Sequence, residues 1–308
     1  MKRKDARRKV SKSTLTFYSI QSIIFSVIAL RHDYTAEYIH FVSTGTTVLY
    51  FKTFDRGPDQ DWVVFVHGAG GSSRVWFKQI LEFQRHFNLL LIDLRGHGRS
   101  PYDEGAPAPY TIEALSRDIL EVMDHLEIRQ AHFVGVSMGC TFIRTLAEID
   151  AGRVRTMVFA GAITHLDAST RFWVVLGNTF KHLLPYLWIY RFFVWIIMPG
   201  RWHREARQLF VGEASKGNQR DFKRWFTLTW RVHRLLRYYA EHEIPTPTLY
   251  LMGRRDYLFL PSARALAEKH AASVLEVIEG AGHVCNVEQD EHFNERAIAF
   301  IKAHSASY

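Results

Sequence analysis

Six short, nearly unbroken apolar runs punctuate the chain, at residues 62–66, 88–94, 131–136, 156–160, 247–252 and 274–278. Runs of this length with little polar alternation are the pattern of strands covered on both faces. Between them the spacing turns helical. Ser72 or Ser73 stands as cap to a helix carrying Val75, Trp76, Ile80 and Leu81, and residues 140–149 form another. Two β-rich stretches, 38–43 and 46–54, flank Gly45 and predict a hairpin at a sheet edge. Strands alternating with helices predict an α/β fold built on a mostly parallel, doubly wound sheet.

Two segments break this rhythm. Residues 2–12 carry seven basic side chains against Asp5 alone, and residues 13–30 carry no charge. Phe17, Ile20, Ile23, Ile24, Val27 and Ile28 gather on one side at helical spacing, with Ser19, Ser22 and Ser26 opposite. That pattern predicts an amphipathic helix, either packed on the domain or lying in an anionic membrane interface, more than a spanning one. No small-residue cleavage site precedes Arg31, which weighs against secretion. The second break, residues 162–244, starts apolar and aromatic, with Lys181 and Arg191 the only full charges from Phe172 to Ile197. It then turns cationic, from Arg201 to Arg237, against Glu205, Glu213 and Asp221. A helical cap is expected here. Most of its aromatics should pack on the core and the rest line an acyl pocket or face a membrane; its arginines either form a solvated face or attract anionic lipid or an acidic substrate. The chain thus divides into a basic, amphipathic segment (1–35), a first core part (36–161), the insertion (162–244) and a second core part (245–308).

Composition changes this picture little. With 47% hydrophobic and 23% charged residues, the chain matches ordinary globular proteins and can bury a sizeable core. A net charge of +8 leaves nucleic acid, anionic lipid and simple basic solubility open. The sequence carries no RNA-binding signature, no zinc-type Cys/His spacing and no phosphate-cradling loop, so nucleic acid is set aside. No metal or organic cofactor is called for. Cys140 and Cys285 cannot build a disulfide framework and read as small buried hydrophobes in a reducing compartment. A cytoplasmic protein, peripheral or anchored at a membrane through its basic segments, is the expected setting.

The chemistry lies in the turns. Gly135-Val136-Ser137-Met138-Gly139 sits where a buried strand meets a helix, the setting in which a tight turn exposes a serine hydroxyl above the sheet. A serine hydroxyl is a poor nucleophile without a base and a carboxylate to orient that base. Asp256 follows the strand at 247–252, and His283 follows the one at 274–278 through Gly280-Ala281-Gly282. Glu288 and Asp290 are the rival acids, but they fall where the last helix should begin. Two further turns, His67-Gly68-Ala69-Gly70-Gly71 and Asp93 to Ser100, share that sheet edge; Asp93, Arg95 and His97 read as shaping the second loop. HGAGG, DLRGHGRS, GVSMG, GRRD and GAGH, in this order, resemble the α/β-hydrolase superfamily over residues 38–304 apart from the insertion. The resemblance implies that the backbone N–H groups of Ala69 and Met138 form an oxyanion hole, a placement that the glycine-rich turn and the helix amino terminus also suggest. Cys140 departs from the Gly or Ala common in relatives.

These residues predict a serine hydrolase acting through an acyl-enzyme on a carboxylic ester with a lipophilic acyl or alkyl chain, with no cofactor. Lactone or amide hydrolysis, carbon–carbon cleavage and a proton-transfer elimination using the cap arginines use the same constellation, and a non-turnover receptor with a hydrolase pocket also stays open.

Overall fold

A computed structural model of the chain describes residues 36–43 (backbone course), 48–100 and 110–305. The amphipathic stretch expected at 13–30 lies outside the described residues. Among those described, eight strands form one sheet: β1 (Ala36–Ser43), β2 (Val48–Asp55), β3 (Trp62–Val66), β4 (Asn88–Asp93), β5 (Ala131–Val136), β6 (Val154–Ala160), β7 (Thr248–Gly253) and β8 (Ser273–Ile278), in the spatial order β1-β2-β4-β3-β5-β6-β7-β8. The first two strands pair antiparallel, and β2 runs antiparallel to β4; every later pair is parallel.

Side chains leave a strand alternately to its two faces, and each face here is covered. Val64, Val66, Leu90 and Ile92 point into one apolar layer, under α2 (Ile112–His125) and α3 (Met138–Ile149). Val63, Phe65, Leu89 and Leu91 point into the other, with Trp76, Phe83 and the inner face of α10 (Asp290–Ala303). This two-sided burial explains the absence of polar alternation in the sequence of β3 to β7. The exception is β8, an edge strand with Val274 55% exposed.

The helix expected after Ser72 is broken. Ser72 accepts a hydrogen bond from the Arg74 amide and caps a single 3-10 turn, Ser73–Trp76; a four-residue helix follows, α1 (Ile80–Phe83), leaving Leu81 exposed. Trp76 and Phe83 are both fully buried beside Phe65, so the path of the chain is set by where these rings reach the core, not by helical spacing. Between β6 and β7 run four helices, α4 (Ala168–Phe180), α5 (Tyr186–Ile197), α6 (Arg204–Ala214) and α7 (Gln219–Glu241). α8 (Leu260–Lys269) and α9 (Cys285–Glu288) complete the set. α7 is strongly amphipathic: Trp225, Leu228, Val232, Leu236 and Tyr239 are buried, while Arg231, Arg234 and Arg237 face solvent. No helix among the described residues is long and apolar enough to cross a membrane.

The strand order reverses its direction of growth between β3 and β5. β4 was laid on one side of β3, and the chain then crosses to the other. Loops leaving the two strands diverge there and open a crevice above their carboxyl ends, the usual ligand site of open parallel sheets.

At the opposite end of β5, His132 is fully buried between Thr156 and Asp61. Burial pulls its imidazole down to about 4, against the attraction of Asp61. An unfolded chain therefore takes up a proton near pH 6.5 that the native state refuses until near pH 4, so the stability is complete above pH 6.5 and lost as the pH falls. Across that window the loss reaches roughly 3 kcal/mol for this one group. Urea unfolding of the wild type and of His132→Gln, at neutral pH and near pH 4, should show the wild type losing more stability than the variant by about that amount. Equal losses would mean that His132 is protonated without cost.

Candidate active site

Ser137 follows β5 directly and begins α3 with φ +55° and ψ −120°, a conformation that non-glycine residues rarely hold. Its own amide donates to the Ala160 carbonyl of β6 at 2.9 Å, which fixes the turn from one side. From the other side, the backbone of α3 is pressed on β3: a Cβ at Gly139 would lie 2.2 Å from the Val66 carbonyl oxygen. Gly68 is confined less severely, since a Cβ there would sit 3.1 Å from that of Ser137. Glycine at these two positions brings the loop after β3 and the serine into contact.

The three residues expected to act together are hydrogen-bonded in sequence. His283 Nε2 lies 3.0 Å from the Ser137 hydroxyl, and its Nδ1 lies 2.9 Å from Asp256 Oδ2. Asp256 is wholly buried and His283 nearly so. With the carboxylate accepting from Nδ1, the proton belongs on that nitrogen and Nε2 is left as a base toward the serine. Asp256 also accepts from the Phe259 amide at 3.3 Å, in the turn that leads into α8, while facing the histidine. Ala69 and Met138 both line the cavity over Ser137. Met138 opens α3, where amides lack helical acceptors and favour negative charge.

Asp93, Arg95 and His97 shape the neighbouring loop, as their sequence suggested. Asp93 accepts the Ser73 and Arg99 amides at 2.6 and 2.9 Å. Arg95 forks onto Asp118, whose carboxyl burial pushes up to about 6 despite that partner. His97 Nε2 accepts the Gly70 amide at 2.8 Å, and His67 Nε2 accepts that of Leu94 at 3.0 Å. Burial lowers the pKa of both imidazoles, well below the ordinary value for His97. Neutral, they act as acceptors that hold the glycine-rich turn. Cys140 and Cys285 are buried, unpaired thiols whose pKa burial raises.

Glu288, a rival for the acid, has other work. One oxygen accepts the Gly282 amide at 2.5 Å, immediately before His283; the other lies 2.6 Å from Nδ1 of His203, a buried residue at the start of α6. This clamp between insertion and histidine loop was invisible in the sequence, because His203 lies among many histidines and its partner is 85 residues away. Similar ties recur around the site. Tyr190 donates to the Ala69 carbonyl, Ser72 to Glu213, the Trp225 indole to the Arg95 carbonyl, and Tyr257 to the Ile196 carbonyl.

The insertion closes over Ser137 to leave a cavity of about 290 Å³. Trp173, Tyr190, Phe193, Ile197, Phe222 and Phe226 form much of its wall. No lysine or arginine among the described residues lines it, and Glu213 and Asp221 do. Arg231, Arg234 and Arg237 face solvent, Lys181 is buried on Asn178 and Thr227, and Arg224 pairs with Asp221 behind the wall, so, contrary to one expectation, the cavity offers no lysine or arginine among the described residues for an acidic substrate or a proton-transfer elimination. The aromatics depart from expectation too. On α5 only Ile189 and Val194 are fully buried, and Trp188, Phe192 and Trp195 are exposed.

The model of the alpha/beta hydrolase family matches residues 63–296. Among curated relatives, the chain is 26% identical over 244 residues to RutD of Stutzerimonas stutzeri strain A1501, to which carbamate hydrolysis is provisionally assigned; the match covers 77% of this chain and 90% of that one. It is 25% identical to 3-oxoadipate enol-lactonase 2 of Acinetobacter baylyi, over 85% of this chain and 97% of that protein. A solved esterase from Exiguobacterium antarcticum superposes with a TM-score of 0.72 at 19% identity, covering 85% and 98% of the two chains, and at that identity speaks for the fold alone. With the match to the family model spanning most of its length, the chain belongs to the alpha/beta hydrolase family.

Proposed function

We propose that this hydrolase cleaves a carboxylic ester with a lipophilic acyl or alkyl chain, through an acyl-enzyme on Ser137. The observation that carries the reading is the deep, aromatic cavity standing directly on a serine in hydrogen-bond contact with His283. His283 Nε2 takes the proton as Ser137 Oγ attacks the carbonyl carbon. The oxyanion is met by the amides of Ala69 and Met138, and Asp256 stabilises the imidazolium that forms. The same histidine then protonates the leaving alcohol, and in the second half it takes a proton from water, which attacks the acyl carbon and releases the acid. No cofactor takes part.

The cavity wall narrows the substrate. Glu213 and Asp221 are already engaged by Lys216 and Arg224, and no lysine or arginine among the described residues reaches the wall, so a carboxylate in the buried part of the substrate would meet no cation there. A neutral lactone or amide with an apolar chain would meet the same machinery, and the enol-lactonase relative supports that alternative at the level of chemistry. The intact hydrogen-bonded relay argues against a receptor that merely kept the pocket.

Two measurements test this. Each methylene buried in the cavity contributes about 0.8 kcal/mol, or roughly a fourfold gain, so kcat/KM for p-nitrophenyl esters should climb by about that factor per carbon until the cavity is full. A fluorophosphonate adduct seen by intact mass should appear in the wild type and be absent from Ser137→Ala. Rates that are flat or falling with chain length would reject the lipophilic pocket, and an adduct persisting in the variant would reject Ser137. A third measurement concerns the clamp. Replacing one charge-assisted hydrogen bond behind the histidine loop, as in Glu288→Gln, should lower kcat about tenfold with KM little changed. Wild-type kcat in that variant would mean that the loop holds its place without it.

A further inference from the structure

The outer surface of α4 and α5 carries apolar side chains with no protein above them. Leu183 is 75% exposed, Trp188 64%, Trp195 61% and Phe172 59%, and Leu184 and Phe192 join them. Patches of this kind on a single chain mark contact with something else. The charge pattern of the same region says what. Between Asp167 and Glu205 the sequence contains no acidic residue, while Arg171, Arg191, Arg201 and Arg204 are all exposed. Protein interfaces rim an apolar centre with polar groups of mixed character. Tryptophan and phenylalanine among four exposed arginines, with Asp167 at the start of α4 offset by Arg171, complement instead an anionic bilayer: rings settle at the headgroup boundary and arginines meet phosphate.

The two helices are also the roof of the cavity. Trp173, Tyr190, Phe193 and Ile197 point inward from the helices whose Phe172, Trp188, Phe192 and Trp195 point outward, and the Trp173 and Phe192 rings meet at 5.3 Å. We infer that α4 and α5 dock the protein on an anionic phospholipid bilayer, placing the roof of the cavity at the lipid surface from which a lipophilic ester is taken up. This rests on the ester reading for the identity of the cargo, while the docking itself stands on the exposed face.

The test uses the full chain and vesicles of phosphatidylcholine alone or mixed with phosphatidylglycerol, each with acyl chains brominated to quench tryptophan. The segment 1–35 contains no tryptophan, so quenching reports the face of the insertion and not an amino-terminal anchor. Quenching is expected with the anionic vesicles and should weaken with salt. Phe172→Glu with Leu183→Glu keeps every tryptophan, alters no residue of the cavity wall, and should reduce vesicle affinity at least about tenfold while hydrolysis of a soluble ester is unchanged. Vesicle flotation without quenching, or equal affinity of the variant, would overturn the proposal. So would wild-type self-association abolished in the variant, which would make this face a contact between copies. Failure of the wild type to cleave any soluble ester would count against the ester reading alone, leaving the quenching result to stand.

Discussion

The constraint from which the site follows is the backbone of Ser137, held at φ +55° between two neighbouring strands. Such a conformation costs about 1–3 kcal/mol and persists only where its surroundings leave no alternative. Here β6 takes the Ser137 amide, and β3 approaches α3 so closely that Gly139 touches the Val66 carbonyl. The approach needs β3 and β5 to be neighbours, and therefore the crossover that opens the crevice above them. Fold, strain and crevice are one arrangement seen at three scales. The serine hydroxyl stands above the sheet because the chain beneath it has nowhere else to go.

Around that fixed point the histidines divide the electrostatic work by what each faces. His67 and His97 are buried without a directly paired carboxylate, stay neutral, and serve as acceptors for backbone amides in the loops beside Ser137. His283 and His203 each face a buried carboxylate through Nδ1. One of these pairs points its other nitrogen at the serine; the other fastens the insertion to the loop carrying the first. The same side-chain chemistry therefore stands once against a serine hydroxyl and once as a tie between segments, and only the neighbouring atoms tell the two apart.

That distinction explains what could be read in the sequence. Strands buried on both faces leave a one-dimensional trace, and the turns at their ends carried Ser137, Asp256 and His283 into the same edge in legible order. The bounds moved by a residue or two, as with α3 starting at Met138. The chain after Ser72 was misread because Trp76 and Phe83 answer to the core across the sheet, and periodicity says nothing of distant partners. For Glu288 the sequence offered a carboxylate near the histidine but no sign of His203. The insertion was legible in composition only: alternation of inner and outer faces decides which aromatics form a wall and which a surface, and in a helix as apolar as α5 the single charge, Arg191, does not mark the boundary.

The arrangement of charge then bears on how the reaction can run. The cavity is lined mostly by rings, and its two carboxylates are engaged by Lys216 and Arg224, so little of its wall attracts water. In the reaction proposed above, a low-dielectric site would strengthen the Ser137–His283–Asp256 hydrogen bonds and the pull of the amides at Ala69 and Met138 on a developing oxyanion. Yet deacylation of the proposed acyl-enzyme would require one water at His283. An apolar acyl chain that fills the inner wall would leave the space vacated by the alcohol as the place where that water can reach Nε2. Filling the cavity and admitting the nucleophilic water are then compatible, provided that the chain occupies the aromatic wall and the alcohol side lies toward the opening. A substrate apolar at one end and polar at the other satisfies that division, and a uniformly polar one does not.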